Sequence, residues 1–318
     1  MTKKAAASDE RLKVKKQDKL LKGIVPVIPT PFSEDGDRIL FDAFARVIEQ
    51  ALTEGAHTIM LFGAGGEFYK LEEEERRSLL REALGVCRGR GDVAVTVTEH
   101  STRMARRQAL AYQEMGAAAI NIMPPSFAMP TGAMIRRHIQ DVAKVVEVPL
   151  MIQYAPALTG GSLSNEIFAD IAEQVKGELY IKIEVTPTGP AITVLLDALG
   201  HRYHIVIGNG GECLYEALTR GAVATLSGAA FVKPYRDIIE AFDQGDRKGA
   251  WEKYNDFLPY LHFIQRHIEE FVSMEKMVLQ ARGILPNYVC RRPFIVPDEV
   301  TCQLLEQLIA YVQQHFYI

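Results

Sequence analysis

Short apolar runs rich in Val, Ile, Leu and Ala recur along the chain. They alternate with segments whose apolar residues return at helical spacing. The runs fall at residues 24–28, 58–62, 93–98, 118–122, 150–154, 180–184, 205–207 and 222–226. Their length and β-branched content predict buried strands. Between them, amphipathic segments at 41–53, 72–87, 102–115, 132–145, 164–174, 190–199 and 212–219 predict helices. Strands that alternate with helices pair in parallel through crossovers. Eight such units within roughly 225 residues predict an α/β fold of the (β/α)8 TIM-barrel type. An open dinucleotide-binding sheet would place a G-x-G-x-x-G turn after its first strand. Here Pro29-Thr30-Pro31-Phe32 follows instead.

From residue 248 onward the period is helical only, at 251–268, 272–282 and 300–315, with a Pro-containing loop at 285–297. The organisation expected is therefore a flexible N-terminal tail at 1–22, a barrel at 23–245 and a C-terminal helical region at 246–318.

Composition narrows the partners. The 318 residues are 48% hydrophobic and 24% charged, and 36 basic against 40 acidic side chains leave a net charge of −4. The only basic cluster lies in the first 22 residues, which argues against a nucleic-acid partner. No run of 18 apolar residues suggests a membrane span, and the N-terminus carries charges where a signal peptide needs an apolar stretch. Cys87, Cys213, Cys290 and Cys302 have no C-x-x-C spacing, so reduced thiols in a cytoplasmic protein are expected.

In a barrel of this kind the chemistry sits at the C-terminal ends of the strands. That rule selects Gly63-Ala64-Gly65-Gly66-Glu67 after strand 2, Glu99-His100 after strand 3, Tyr154 at the end of strand 5, Lys182 and Glu184 in strand 6, and Gly208-Asn209-Gly210-Gly211 after strand 7. Side chains alternate along a strand, so Lys182 and Glu184 share one face and Ile181 and Ile183 the other. If the isoleucines face the outer helices, both charged groups point into the barrel. A desolvated lysine tends to lose its proton, and a neutral amine attacks a carbonyl to form a Schiff base. The same pattern also fits an ion pair plugging the barrel. Tyr154 is either a proton relay beside the amine or an aromatic core residue. The glycine-rich loop suits a carboxylate received by backbone N–H groups, or is simply a tight turn.

Together these residues resemble the dihydrodipicolinate synthase/N-acetylneuraminate lyase family of Schiff-base-forming barrels. The family's G-[TS]-T-G-E loop corresponds to Gly63-Ala64-Gly65-Gly66-Glu67. Its tyrosine segment corresponds to Tyr154-Ala155-Pro156-Ala157-Leu158-Thr159-Gly160, and its lysine lies 28 positions after that tyrosine, as Lys182 does. The resemblance runs from about Gly23 to the end. It implies that Lys182 forms an imine with a 2-oxo acid such as pyruvate or a 2-keto-3-deoxy sugar acid, with Tyr154 as acid/base. It implies that Ala64, Gly65 and Gly66 receive the substrate carboxylate, that Gly208 and Leu226 line the pocket, and that the protein is a homo-oligomer, dimer or tetramer. No cofactor is implied, because the imine itself is the electron sink.

The chain departs from the synthases where Ala64 and Gly65 replace hydroxyl residues. It departs again where Ser126 or Phe127 stands for a second tyrosine, and where Leu158 stands for a carboxylate-binding arginine. These changes point away from dihydrodipicolinate synthase itself and toward another aldolase or dehydratase. Glu184 is an additional candidate base or substrate-binding group. Two other readings stand beside this one: a metal-assisted barrel lyase or hydrolase using Glu99, His100 and Glu184, and a catalytically degenerate protein that binds a 2-oxo acid.

Overall fold

The computed structural model describes residues 21–318, in which eight parallel strands close into a barrel in chain order. They are β1 (Gly23–Val27), β2 (Thr58–Leu61), β3 (Asp92–Val97), β4 (Ala119–Ile122), β5 (Leu150–Tyr154), β6 (Leu179–Ile183), β7 (His204–Ile207) and β8 (Ala224–Gly228). The helices between them are α1 (Phe41–Thr53), α2 (Glu73–Cys87), α3 (Thr102–Met115), α4 (Gly132–Ala143), a single turn α5 (Pro156–Thr159), α6 (Asn165–Gln174), α7 (Thr188–Leu199), α8 (Leu214–Arg220) and α9 (Val232–Asp243). Three more helices, α10 (Arg247–Ile264), α11 (Ile268–Ala281) and α12 (Glu299–Phe316), complete the chain.

The period of two along each strand sorts its side chains into two cores. Val25, Met60, Ala94, Met151, Tyr180 and Val206 fill the inside of the barrel. Ile24, Ile59, Val95, Ile152, Ile181 and Ile205 pack outward on the helices. Ile181 and Ile183 thus lie on the helix side, as the alternation required for inward-facing Lys182. Leu21 and Lys22 are the only described residues of the expected tail. Leu21 is buried with the inner cluster; residues 1–20 lie outside the described part of the chain. All four cysteines are unpaired.

Several boundaries differ from expectation, three of them instructively. The last strand is displaced by two residues and ends at Gly228, because Gly221 closes α8 in the left-handed region at φ 101° and Ala222–Val223 are spent on the connection. The segment at 251–268 breaks before its end. His267 accepts a hydrogen bond from the Glu269 N–H and starts α11. The glycine-rich loop continues through two 3-10 turns before α2 begins at Glu73.

Candidate active site

Four consecutive strands each carry one polar residue at an inward position near their C-terminal ends: Thr96, Asn121, Gln153 and Lys182. Lys182 is 7% exposed, and its Nζ lies 3.1 Å from Glu184 Oε1. Gln153, level with Lys182 in the β5–β6 register, donates through Nε2 to the other carboxylate oxygen of Glu184 at 3.1 Å. Asn121 Nδ2 donates to Gln153 Oε1 at 3.1 Å and to Thr96 Oγ1 at 3.3 Å. The ion pair left open by the sequence is thus formed at the mouth of the barrel. Its side chains keep 9% and 14% of their surface exposed.

Glu184 leaves the strand at its end, where its N–H donates to the Tyr154 carbonyl. Gly208, just past β7, makes room for it: a β-carbon built on Gly208 would overlap the Glu184 carboxylate. Gly208 therefore lines the site through the absence of its side chain. Leu226 lies two residues before the end of β8 and faces the inner core.

Tyr154 is half-buried on the neighbouring strand. Its ring meets Phe168 of α6 edge-on at 5.3 Å, and its hydroxyl is 3.2 Å from Ser162 Oγ. In the β5–β6 register it pairs with outward-facing Ile183, not with Lys182. No hydrogen bond joins Tyr154 to Lys182 among the described residues.

In the loop after β2, the N–H groups of Gly66 and Glu67 close turns onto the carbonyls of Gly63 and Ala64. The Gly66 N–H is therefore committed within the loop, which leaves the Ala64 and Gly65 N–H groups as donors for a carboxylate. A β-carbon at Gly65 would come within 3.2 Å of Phe271 Cε1 on α11, so a larger side chain there would require Phe271 to give way. Glu67, at φ 57°, is wholly buried. It pairs with Lys276 of α11, with Lys70 at 3.1 Å and with the Arg291 N–H at 3.0 Å. Glu67 thus fastens the loop to the C-terminal region.

The residues of the metal reading do not converge. Glu99 accepts from Gln108 at 3.2 Å and faces Arg76 at 3.5 Å. His100 Nδ1 accepts from the Ser126 N–H at 3.2 Å, and Glu184 is held on Lys182. Among the described residues no group of three His, Cys, Asp or Glu side chains could hold a metal ion. Phe127 and Leu158, which replace synthase side chains, are exposed.

Two features were missed in the sequence. One is the amide chain Thr96–Asn121–Gln153, whose signal was a single polar residue interrupting each of three successive apolar strands. The other is Glu275 of α11, 4% exposed, at the end of β8. It accepts from the Ala230 N–H and from Tyr260 Oη, each at 3.1 Å, and a β-carbon on Gly228 would overlap it. Burial pushes its carboxyl up to about 7, against the lowering effect of these hydrogen bonds.

Because the folded state holds this proton more tightly, the unfolded chain ionises first as pH rises from about 4.5 to about 7. Stability should fall across that window by up to about 3 kcal/mol from this group. Urea unfolding of Glu275→Gln between pH 5 and 8 should show the decline flattened relative to the parent. An unchanged pH dependence would exclude Glu275 as its source.

An inward lysine on the sixth strand of a (β/α)8 barrel, with a glycine-rich loop after the second strand, is the pattern one family shares. The chain belongs to the dihydrodipicolinate synthetase family, whose sequence profile matches residues 20–313. An L-2-keto-3-deoxyarabonate dehydratase from Azospirillum brasilense is 27% identical over 280 residues, covering 86% of this chain and 88% of that protein. A 4-hydroxy-tetrahydrodipicolinate synthase from Fervidobacterium nodosum is 24% identical, covering 91% and 98%. The crystal structure of dihydrodipicolinate synthase from Rhodopseudomonas palustris superposes with a TM-score of 0.84 at 23% identity, covering 94% of this chain and 99% of that one. By family the chain is a lyase.

Proposed function

We propose that the protein is a Schiff-base-forming lyase acting on a 2-oxo acid, either pyruvate-derived or a 2-keto-3-deoxy sugar acid, with Lys182 as the amine and Glu184 as the group that carries its proton. The observation that carries this reading is the 3.1 Å contact between Lys182 Nζ and Glu184 Oε1 inside the barrel mouth. The dehydratase likeness supports the sugar-acid class, and the absence of a distal arginine at Leu158 argues against a dicarboxylate product.

Proton movements on Glu184 balance the cycle. The substrate carboxylate docks on the Ala64 and Gly65 N–H groups and expels water. Glu184 takes a proton from Lys182, freeing the amine to attack the C2 ketone. The carbinolamine hydroxyl leaves as water with the proton held by Glu184, giving the protonated imine. The carboxylate then removes a C3 proton, and the electron pair moves into an enamine. In a dehydration, the C4 hydroxyl departs as water with that proton. In an aldol cleavage no C3 proton is removed: from the protonated imine, Glu184 instead takes the C4 hydroxyl proton, and the C3–C4 bond pair becomes the enamine. Tyr154, whose hydroxyl lies 3.2 Å from Ser162 Oγ, borders the site from the neighbouring strand.

Borohydride reduction in the presence of pyruvate, followed by intact-mass measurement and peptide mapping, should place one adduct on Lys182. The methyl protons of pyruvate should exchange with deuterium in D2O in the presence of the protein, followed by NMR. No adduct on any lysine, across pyruvate and a panel of 2-keto-3-deoxy sugar acids, would overturn the reading.

Gly208→Ala offers a steric test of Glu184. The new methyl group claims the space of the carboxylate and should swing it off Lys182. Deuterium exchange should fall by about 10²-fold or more, the scale of a lost general base. The unfolding free energy should drop by only about 1–3 kcal/mol, as for other overpacked sites.

A further inference from the structure

Glu184 must alternate between carboxylate and carboxylic acid in the cycle just described, and its surroundings are built of groups that can serve both. An ionised carboxylate only accepts, whereas its protonated form must also donate. The neighbour at Glu184 Oε2 is an amide, which presents a donor on one side and an acceptor on the other. Behind Gln153 stands a second amide, Asn121, 1% exposed. Behind Asn121 stands a hydroxyl, Thr96, which donates to Met60 Sδ at 3.5 Å.

In the present arrangement the amide bonds run toward the carboxylate, Asn121 donating to Gln153 and Gln153 to Glu184, while Asn121 also donates backward to Thr96. The cost is one orphan, because Asn121 Oδ1 is buried without a hydrogen-bond partner. An unpaired buried acceptor is unfavourable. It becomes the used atom if the chain reverses. Turning both amides over lets Glu184 O–H donate to Gln153 Oε1, lets Gln153 Nε2 donate to Asn121 Oδ1, and turns the Thr96 hydroxyl onto Asn121 Oδ1. Both directions then carry the same number of bonds from amide to amide and leave one polar group of Asn121 unused.

We propose that Gln153 and Asn121 form a reversible hydrogen-bonded pair that holds Glu184 against Lys182 in both of its protonation states. Both are positioning residues: their side-chain hydrogen bonds go to Glu184, to one another and to Thr96. The inference rests on the Schiff-base reading above and adds to it a reason for amides inside an otherwise apolar barrel.

Two variants test it, each measured with pyruvate by borohydride trapping and by methyl deuterium exchange. Gln153→Met fills the space with no donor or acceptor for Glu184. Asn121→Asp keeps the shape but removes the donor to Gln153 Oε1, so the chain can run only in the direction that needs a protonated Glu184. In both, the maximal exchange rate should fall at least about tenfold. The pyruvate concentration at half-maximal exchange should stay within about twofold, and the Lys182 adduct should still form. A purely structural role would lower the melting temperature and the adduct yield together without this split. Asn121→Asp or Gln153→Met with a maximal rate within twofold of the parent, adduct intact, would overturn the reversible pair alone. Absence of an adduct in the parent protein would overturn the Schiff-base reading and this inference with it.

Discussion

Lys182→Ala should abolish the borohydride-trapped adduct and lower deuterium exchange of pyruvate by about 10⁴-fold or more, the scale on which loss of a covalent nucleophile is felt. The reason is structural as well as chemical. Nζ sits on the inner face of β6, level with Gln153, with Glu184 as its ionic partner. Among the eight strands Lys182 is the only lysine.

Alanine also strips Glu184 of its counter-charge, so a lost fold could imitate lost chemistry. Lys182→Arg separates the two. Arginine keeps a positive charge beside Glu184 but stays protonated and cannot form an imine. It should therefore be as inactive as Lys182→Ala while unfolding closer to the parent. Retained exchange in either variant would remove Lys182 from the chemistry.

The second large effect is on stability. Lys276→Met should destabilise the protein by about 3–5 kcal/mol, the usual result of removing one partner from a buried pair. Lys276 and Glu67 are both fully buried. Lys276 also donates to the Val289 carbonyl at 2.9 Å, and its Nζ lies 4.6 Å from the centre of the Phe32 ring. Without it, Glu67 keeps only Lys70 and the Arg291 N–H, and Lys70 is shared with Glu269 at 2.6 Å.

Adding Glu67→Gln to Lys276→Met removes the stranded charge and should recover part of the loss. Urea unfolding of the two single variants and the double variant measures the coupling. Strict additivity would mean that the pair does not join the loop to α11. Because Glu67 lies two residues after Gly65 in the loop proposed to hold the carboxylate, the single variants should also require more pyruvate for half-maximal exchange.

Much of the architecture was legible because burial writes itself into residue order. Alternation placed Lys182 and Glu184 inward and Ile181 and Ile183 outward, and each βα unit showed its own change of period. Boundaries failed where a residue type is ambiguous. Ser227-Gly228 reads as a loop, yet both belong to β8 and pair with Pro26 and Val27 of β1. The glycine loop was expected to receive a carboxylate through Ala64, Gly65 and Gly66, yet the Gly66 N–H is spent on the turn. Tyr154 was expected as a proton relay because it ends the strand next to that of Lys182; its hydroxyl lies 3.2 Å from Ser162 Oγ.

What residue order determined by itself is the eightfold beat, the inward face of β6 and hence a charged pair at the barrel mouth, since these depend only on local periodicity and the cost of exposing apolar side chains. Which partner each polar group takes was decided by closure of the barrel and the docking of α11. Asn121 meets Gln153, Glu184 fills the space left by Gly208, and Glu67 meets Lys276 across 209 residues. Such contacts come from strand register and helix packing, and no local pattern encodes them.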